Sequence, residues 1–251
     1  MHGELTSPLL FALYISDIDS VFENLEKDGI RGVNVNHFTS IHVLAYADDL
    51  VILAENAVHL QAKLNALYTF CKEHGLTVNV GKTKILIFNH CHPSRDYNGN
   101  FMYNGQKVQV VREFTYLGVT FCECGRFHKH FDAMRPKVAA AGAAIISIIL
   151  KSKTHSWEAI KKMYKAMLLS IIFYGCEIFG PESEEEIEKV QLTFLKRLLH
   201  LPSYTPEYMF RFETGTDHTK AAVLKRSTQF FEKIRTSAPS RYTYICQEEL
   251  I

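Results

Sequence analysis

Apolar residues near the N-terminus recur at helical spacing. The first stripe, with steps of three and four residues, comprises Leu10, Tyr14, Ile18, Val21 and Leu25. It predicts one amphipathic helix that begins at Ser7-Pro8, where serine can cap the first turn and proline suits the first helical position. Gly29 and Gly32 are expected to end this helix before a short strand at residues 33–35.

The clearest strand pattern lies at residues 41–54. Two apolar runs rich in β-branched residues flank the stretch Ala47-Asp48-Asp49. This arrangement predicts a hairpin of two buried antiparallel strands, with Asp48 and Asp49 exposed at its tip.

A mixed pattern follows the hairpin. Asn56 and Gly75 bracket a second apolar stripe and predict a capped helix between them. Further strands are predicted at residues 76–80, 85–88, 101–103, 107–111 and 114–121, and Asn104-Gly105 is typical of a hairpin turn. Together these elements predict the α+β class, with an antiparallel sheet backed by helices.

From about residue 126 onward the pattern is helical. Residues 137–150 are apolar on nearly all sides, so we expect their helix to be buried. Helices are also predicted at residues 157–173, at 183–200, where Ser183 and Glu186 have the spacing of a capping box, and at 219–234. The predicted domains are residues 1–125, residues 126–202, and a C-terminal helical extension and tail at residues 203–251.

The composition is that of a globular protein. Of 251 residues, 47% are hydrophobic and 22% are charged, which supplies enough apolar surface for a core. The six cysteines are irregularly spaced, which indicates a reducing compartment rather than a disulfide framework. No signal peptide pattern opens the chain, and the longest uncharged apolar stretch, residues 138–150, is shorter than the roughly 18–20 residues that span a bilayer. We therefore expect an intracellular protein, cytoplasmic or nuclear and not secreted, without a membrane partner.

Charge is unevenly distributed although the formal net charge is only +1. Residues 1–58 carry nine acidic and two basic side chains, whereas residues 126–165 carry nine basic and two acidic ones. We call residues 126–165 the basic segment. It is either a solvated helix face or a surface for a nucleic-acid backbone, and charge alone leaves both readings open.

The adjacent carboxylates of Asp48 and Asp49 indicate a chemistry for the hairpin tip. Two like charges this close repel one another, and a divalent cation such as Mg²⁺ relieves the repulsion. Mg²⁺ held by carboxylates is the usual apparatus of nucleotidyl transfer. An Asp-Asp pair is also common in solvated turns, so the pair alone does not decide between the two readings.

Four stretches in the first half of the chain have the order and spacing of known motifs. They are Ser7-Pro8-Leu9-Leu10-Phe11-Ala12-Leu13-Tyr14-Ile15, Tyr46-Ala47-Asp48-Asp49, Gly75-Leu76-Thr77-Val78-Asn79 with Lys82-Thr83-Lys84, and Phe114-Thr115-Tyr116-Leu117-Gly118-Val119. They resemble, in turn, the helix before the catalytic box, the Y/F-x-D-D box, the segment after it and the primer-grip region of reverse transcriptases from non-LTR, LINE-type retrotransposons. The likeness implies a partial polymerase palm followed by a helical thumb-like region.

The resemblance implies RNA-directed DNA synthesis from deoxynucleotides on an RNA template and a DNA primer. Asp48 and Asp49 would be the metal ligands for two Mg²⁺ ions, with Asp48 holding both and Asp49 supporting the geometry. Lys82 would neutralise or protonate the pyrophosphate, although an exposed turn lysine is the ordinary alternative.

Contacts with nucleic acid are implied at two further places. Tyr46 would pack against the primer end, unless it is a core aromatic, and Tyr116, Leu117 and Gly118 would lie under the primer backbone. In the basic segment, Lys161 and Lys162 would contact the phosphates of the template–primer duplex. The oligomeric state is left open.

The chain departs from this family in one respect. A strand that carries a further metal-binding aspartate precedes the first of the four stretches in the family, and no such strand is present here. Asp17, Asp19 and Asp28 are better explained as solvated acids on the polar side of the first helix. We therefore expect residues 1–251 to be inactive alone, and the alternative function is a non-catalytic nucleic-acid-binding remnant or a domesticated scaffold.

The sequence contains a second set of candidate metal ligands, close to residue 125. Cys122 and Cys124 are followed by His128 and His130. This spacing is far tighter than that of the usual structural zinc sites. It therefore favours ordinary structural roles, with zinc binding as the alternative.

Overall fold

The computed structural model describes residues 7–36, 39–88, 99–154, 156–239 and 241–249. These residues form two compact units. The first contains the described residues up to Ile87, residues 99–111 and those from Pro239 onward; the second contains Phe88 and residues 112–238. The division after Val111 does not coincide with the predicted boundary after residue 125, and residues 203–238 share a unit with residues 126–202.

Helices dominate the second unit and flank the strands of the first. In chain order they are α1 (Ser7–Tyr14), α2 (Ile18–Leu25), α3 (Ala57–Glu73), α4 (His128–Ser152), α5 (Trp157–Met163), α6 (Ser170–Ile172), α7 (Cys176–Phe179), α8 (Glu184–Leu198), α9 (Glu207–Thr214), α10 (Thr219–Arg235) and α11 (Tyr242–Glu248). A π-helical segment, Tyr164–Leu169, joins α5 to α6, and single 3₁₀ turns occupy Glu26–Asp28 and Gly180–Glu182.

The strands are short. They are β1 (Val33–Asn34), β2 (Ser40–Ile41), β3 (Val43–Tyr46), β4 (Asp49–Ile52), β5 (Lys84–Leu86), β6 (Met102–Tyr103), β7 (Gln106–Lys107), β8 (Gln109–Val111), β9 (Glu113–Tyr116) and β10 (Val119–Cys122). Within the described residues they form five separate pairs, of which β5–β8 is parallel and the others are antiparallel. The α+β class is confirmed, whereas the prediction of one antiparallel sheet is wrong.

The core of the first unit lies between α2, α3 and the strands. Phe22, Leu64, Phe70 and Val108 are among its buried members. The helix predicted after Asn56 is confirmed as α3, and the Asn56 side chain accepts a hydrogen bond from the His59 amide at 2.9 Å. The hairpin predicted around Asn104-Gly105 is also confirmed, as β6–β7.

Two predictions for the first unit are wrong. The single N-terminal helix is two helices, because α1 ends at Tyr14 and α2 begins at Ile18. Tyr14 does not continue the buried stripe; its ring is half exposed and its hydroxyl donates to the His74 carbonyl at 2.6 Å. Residues 76–80 form no strand, since their backbone leads into a turn organised by Asn79.

The second unit is built around α4, α8 and the helices between them. Its buried members include Phe131, Ile145, Leu168 and Leu195. The helices predicted at 157–173 and 219–234 are found, the first with its π-helical segment and the second as α10. Two further helices, α9 and α11, lie in the region predicted to hold only one.

The predicted all-round burial of residues 137–150 is wrong. Only one stripe of α4 is buried, with Val138, Gly142 and Ile145 in this part of the helix. The close approach of the Phe194 ring to Gly142 explains the glycine, because a Cβ there would lie 2.8 Å from Phe194 Cδ2. The exposed side carries mostly alanines, and these bury too little area to require a second partner.

By length and composition, α4 could cross a membrane, and so could Trp157–Ile172 with Cys176–Glu182 if that bent pair were one span. The core helix of a water-soluble protein passes the same test, and α4 contributes its buried stripe to the core of the second unit. The finding therefore assigns no membrane span.

The predicted capping box of α8 does not form. The Ser183 side chain accepts no capping hydrogen bond. Glu186 instead accepts from Lys189 at 3.0 Å and from Arg135 at 2.7 Å. The hydrogen bond from Lys189 is the main reason that the pKa of the Glu186 carboxyl lies below its usual value.

A buried ionic network holds α8, α9 and α10 together. The Glu188 carboxylate on α8 forms an ion pair with Arg211 of α9 and accepts from the Thr219 amide at 2.9 Å, at the first turn of α10. Arg211 also donates to Gln191 at 3.2 Å, and Gln191 donates to the Tyr164 hydroxyl at 2.6 Å. A buried carboxylate with this many partners orients three helices at once, although such a pair adds little net stability over apolar packing.

A buried lysine offers a test of the first unit. Lys63 on α3 is fully buried, and its ammonium donates to the Leu53 carbonyl at 2.6 Å, just after β4. Burial lowers the pKa of Lys63 to about 8 from its usual 10.5, against the opposing charges of Glu26 and Glu55. Between these two pH values the unfolded chain binds the proton more tightly, so Lys63 makes the free energy of unfolding rise with pH.

We predict that the stability difference between the wild type and Lys63→Met grows by roughly 2–3 kcal/mol in favour of the wild type between pH 7 and pH 10.5. Urea unfolding at the two pH values measures it. Lys72→Met, at an exposed lysine on the same helix, is the matched control and should show no such growth. Parallel pH profiles of the wild type and Lys63→Met would contradict the prediction.

Candidate functional site

The predicted hairpin is confirmed by the pairing of β3 with β4. Tyr46 pairs with Asp49 next to the turn, and Val43 pairs with Ile52 at the far end. Asp48 and Asp49 are both exposed at the tip, as predicted. The strands themselves are not buried, because Leu44 and Tyr46 are exposed and only Val43 of β3 reaches the core.

The turn of this hairpin is strained at one residue. Ala47 has φ of 53°, in the left-handed region that glycine or asparagine usually occupies. The two-residue connection between Tyr46 and Asp49 demands such a conformation, because only turns of this kind match the twist of the paired strands. The turn therefore sets Asp48 and Asp49 next to each other on a tight loop.

The base of the hairpin is anchored by polar contacts. Leu53 donates its amide to the His42 carbonyl at 2.8 Å and accepts from Lys63 at 2.6 Å. The buried His42 ring lies 2.9 Å from the Glu26 carboxylate. These contacts fix the hairpin to α3 and to the turn after α2, so the acidic tip projects from a supported base.

The chemistry of the tip suits a hard divalent cation. In the part of the chain that the structure describes, neither Asp48 nor Asp49 is joined to a cationic side chain by an ion pair. Carboxylate oxygens are the ligands that Mg²⁺ prefers. Among the described residues, however, no third carboxylate, histidine or cysteine joins this pair in a group whose ligand atoms lie within 4.8 Å of one another.

Two other groups of candidate ligands meet that distance. Glu188, Glu207 and His218 form one, but Arg211 already pairs with both glutamates, so this group is explained as part of the ionic network. Cys122, Cys124 and His128 form the other. Cys122 and Cys124 are joined by a disulfide that spans a single turn, and it connects no distant elements.

His130, the last residue of that cysteine-histidine pattern, does not belong to the cluster. It is buried, with its ring edge-on to Phe131 and Phe179. Burial lowers its pKa, which favours the neutral ring. Its role is packing in the second unit.

The turn that carries Lys82 is organised by Asn79. The backbone amides of Lys82 and Thr83 both donate to the Asn79 carbonyl, and the Thr83 hydroxyl joins them at 2.9 Å. Lys82 itself is exposed, whereas the Lys84 ammonium is engaged with Gly81 and Gln109. Of these two lysines, Lys82 is therefore the one whose ammonium is free to contact a ligand from solvent. Among the described residues, no ion pair joins Lys82 to Asp48 or Asp49.

The predicted single strand at 114–121 is a hairpin, and this prediction was wrong. β9 and β10 pair around Leu117 and Gly118, whose φ angles of 46° and 80° form a left-handed turn. The Tyr174 hydroxyl donates to the Leu117 carbonyl at 2.7 Å, and a Cβ on Gly118 would lie 2.9 Å from the Tyr174 ring. A glycine is therefore needed at position 118 for the left-handed backbone and for the close approach of the Tyr174 ring, independently of any role in primer binding.

Tyr116, Leu117 and Gly118 lie in the second unit, whereas the acidic tip, Tyr46 and Lys82 lie in the first. Lys161 and Lys162 also lie in the second unit. Lys161 donates to the Gly215 carbonyl at 3.0 Å at the end of α9, and Lys162 is exposed. The proposed roles of all these residues stay predictions.

Sequence reasoning missed the supporting roles of three residues, which are Lys63, Asn79 and Tyr174. A lysine inside the apolar stripe of α3 was a visible signal for the first. Tyr174 acts through the backbone carbonyl of Leu117, which sequence patterns do not reveal. Asn79 acts through its own carbonyl and through its side-chain oxygen, which accepts from the Lys82 amide at 3.1 Å.

Comparison with known families gives a direct match. The reverse transcriptase (RNA-dependent DNA polymerase) profile matches residues 2–121. This span contains all four stretches that carry the resemblance.

Individual relatives agree with the profile. RNA-directed DNA polymerases from the mobile element jockey of Drosophila funebris and Drosophila melanogaster are each 21% identical to this chain over 213 residues. These residues are 82% of this chain and 22% of the jockey polymerases, so the chain spans about a fifth of their length. A transposon-derived protein of Caenorhabditis elegans is 37% identical over 163 residues, which are 62% of this chain and 56% of that protein. No solved structure matches the chain.

The strain at Ala47 generates a prediction. Ala47→Gly should stabilise the protein by about 0.5–1 kcal/mol, because the relief of left-handed strain exceeds the entropy cost of glycine. Thermal or urea unfolding measures it. Ala45→Gly, in the adjacent strand with ordinary backbone angles, is the control and should destabilise by about 0.5–1 kcal/mol. Equal losses in both variants would show that the turn is not strained.

Proposed function

We propose that the chain belongs to the reverse transcriptases of non-LTR retrotransposons, whose family profile matches residues 2–121, and that it is part of a polymerase that copies RNA into DNA. The β3–β4 hairpin, with Asp48 and Asp49 side by side at an exposed tip, is the observation that carries the proposal. The partial palm would be formed by residues 1–125 and the helical thumb-like region by residues 126–202.

In this proposal the two carboxylates hold divalent cations at the tip. Bound Mg²⁺ would activate the primer 3′-hydroxyl and neutralise the leaving pyrophosphate. Asp48, in the turn itself, would reach both ions, and Asp49, paired with Tyr46 at the end of the ladder, would fix the geometry. The exposed Tyr46 ring would lie against the primer end, and the exposed Lys82 would meet the pyrophosphate.

The described residues supply this site incompletely. Two ions need bridging carboxylates from more than one segment, and no third ligand accompanies Asp48 and Asp49. A further carboxylate from a longer chain would complete the site. The observation also supports the second candidate, a non-catalytic nucleic-acid-binding protein that uses the basic segment alone.

Nucleic acid would be held by the second unit. The basic segment provides positive charge along α4 and α5, and phosphate contacts supply most of the affinity of sequence-independent binding. The Tyr116–Gly118 turn would approach the primer backbone. The substrates would be deoxynucleotides, an RNA template and a DNA primer, in an intracellular setting.

The binding part of the proposal predicts a salt-dependent affinity for a template–primer duplex. Replacing Lys161 and Lys162 together by alanine should weaken binding to all sequences and lower the salt slope by up to about two. Fluorescence anisotropy over a range of salt concentrations measures both. Lys107→Ala, an exposed lysine of the first unit, is the control and should leave the slope unchanged; a wild-type affinity that ignores salt would refute the proposal.

The catalytic part predicts that residues 1–251 alone do not extend a primer with Mg²⁺ or Mn²⁺. Grafting the fingers and the aspartate-bearing strand of a related enzyme onto this chain should restore extension on an RNA template. Asp48→Asn in the graft should then abolish extension, because a neutral amide cannot replace the charged carboxylate that would hold the metal ions.

Asp17→Asn in the same graft is the control, since Asp17 is exposed and its side chain makes no capping bond. It should extend as the graft does. Extension by the bare chain would disprove the incompleteness of the site, and extension by the graft that survives Asp48→Asn would remove Asp48 from it.

A further inference from the structure

Helix α9 presents large aromatic side chains to solvent. Phe212 is 91% exposed and Tyr208, one turn earlier, is 68% exposed. Met209 lies beside them at 53%, and Tyr204, just before the helix, is 85% exposed. We call these four residues the aromatic face. Clustered exposed rings of this kind are uncommon on a soluble protein and mark contact sites.

The opposite side of α9 fixes this orientation. Phe210 and Thr214 are buried in the second unit, and Arg211 is held by the Glu188 carboxylate. The Trp157 indole donates to the Thr214 carbonyl at 3.2 Å. Because these inward contacts are polar and specific, the helix cannot rotate to bury Tyr208 and Phe212.

Positive charge is anchored at both ends of the aromatic face. Lys196 donates to the Ser203 carbonyl at 2.5 Å, one residue before Tyr204. Lys161 donates to the Gly215 carbonyl at 3.0 Å, three residues after Phe212, and its ammonium has three protons to donate. A lysine predicted to contact phosphate is thus placed at the end of the aromatic helix.

One of the two acids of α9 is directed at Arg211. Glu207 faces the Arg211 guanidinium, with 3.6 Å between its carboxylate and Nε. Glu213 is the remaining acid of the helix and is exposed. The charge at the two ends therefore favours an anionic ligand, while the rings favour a flat one.

We propose that the aromatic face is a stacking surface for the unpaired bases of single-stranded nucleic acid, with Lys161 and Lys196 beside its phosphates. Tyr208 and Phe212 are four residues apart, about 6 Å along the helix axis, so each ring can meet a separate base. Aromatic rings between cations are the usual means of binding single strands without sequence preference. The inference rests on the proposed function and adds a site for the unpaired strand, which shares Lys161 with the duplex contacts of the basic segment.

The test compares a labelled single-stranded RNA with a duplex of the same sequence, using anisotropy and the full chain. Phe212→Ala and Tyr208→Ala should each weaken single-strand binding about tenfold and leave duplex binding within about twofold. Phe212→Tyr should bind as the wild type, whereas Phe212→Leu should be as weak as Phe212→Ala, because leucine keeps the apolar surface but cannot stack.

Leu150→Ala is the matched control, because Leu150 is an apolar residue of the second unit that is 72% exposed. It should change neither affinity. Since all these side chains are exposed, circular dichroism melting should show the variants folded like the wild type.

Removal of the Glu213 charge should have the opposite effect. Glu213→Gln should strengthen single-strand binding severalfold, because it removes a charge that repels phosphate. Glu249→Gln, an exposed acid of the first unit, should not. An unchanged affinity in Glu213→Gln would place the bound strand elsewhere.

Several results would overturn the inference. A wild type that binds duplex but not the single strand would refute it and leave the proposed function standing, whereas a chain that binds neither would refute both. Full single-strand affinity in Phe212→Leu would exclude stacking. Self-association that Phe212→Ala abolishes without changing RNA binding, seen by sedimentation, would make the face an interface between copies of the chain.

Discussion

The acidic hairpin depends on one buried ammonium. Lys63 is enclosed in the first unit and donates to the Leu53 carbonyl, where β4 leaves the hairpin. An unpaired buried charge would be costly, and this one is tolerated because a carbonyl accepts from it and two glutamates lie nearby. The contact ties α3 to the base of the hairpin, so the position of Asp48 and Asp49 depends on a residue that acts at the opposite end of the hairpin.

The second unit uses a buried charge in the same way. Glu188 pairs with Arg211 and accepts from the first turn of α10, so three helices share one carboxylate. The effect is orientation more than stability, since an ion pair in the interior gains little over apolar packing. By holding Arg211 inward, the network leaves Tyr208 and Phe212 outward, and the aromatic face is its consequence.

The two units differ in the chemistry they offer to a ligand. The first presents carboxylates on a strained turn without a cationic partner in the described structure, an arrangement suited to a metal ion. The second presents lysines and exposed rings, an arrangement suited to phosphates and bases. The reverse transcriptase profile matches residues 2–121, a span that includes the acidic hairpin of the first unit.

The sequence by itself determined the likeness to reverse transcriptases, the hairpin at residues 41–54 and the capped helix α3, because each rests on local signals. These are a motif, an acidic turn between β-branched runs, and an asparagine before an apolar stripe. Local patterns failed where a distant partner decides. The Tyr14 hydroxyl donates to the His74 carbonyl, and the predicted N-terminal helix is divided in two after Tyr14. The Leu117 carbonyl accepts from the Tyr174 hydroxyl at the turn that divides the predicted strand at 114–121 into a hairpin.

Tertiary structure also decided burial. Residues 137–150 are apolar on nearly all sides because many of them are alanines. Alanine side chains gain little free energy from burial, so only one stripe of α4 is buried in the core. The Glu186 carboxylate accepts a hydrogen bond from Arg135 of α4, and the predicted capping box does not form. The sequence could not show that Arg211 points inward and Phe212 outward on the same short helix. This orientation depends on the ion pair between Arg211 and Glu188, which lies on another helix.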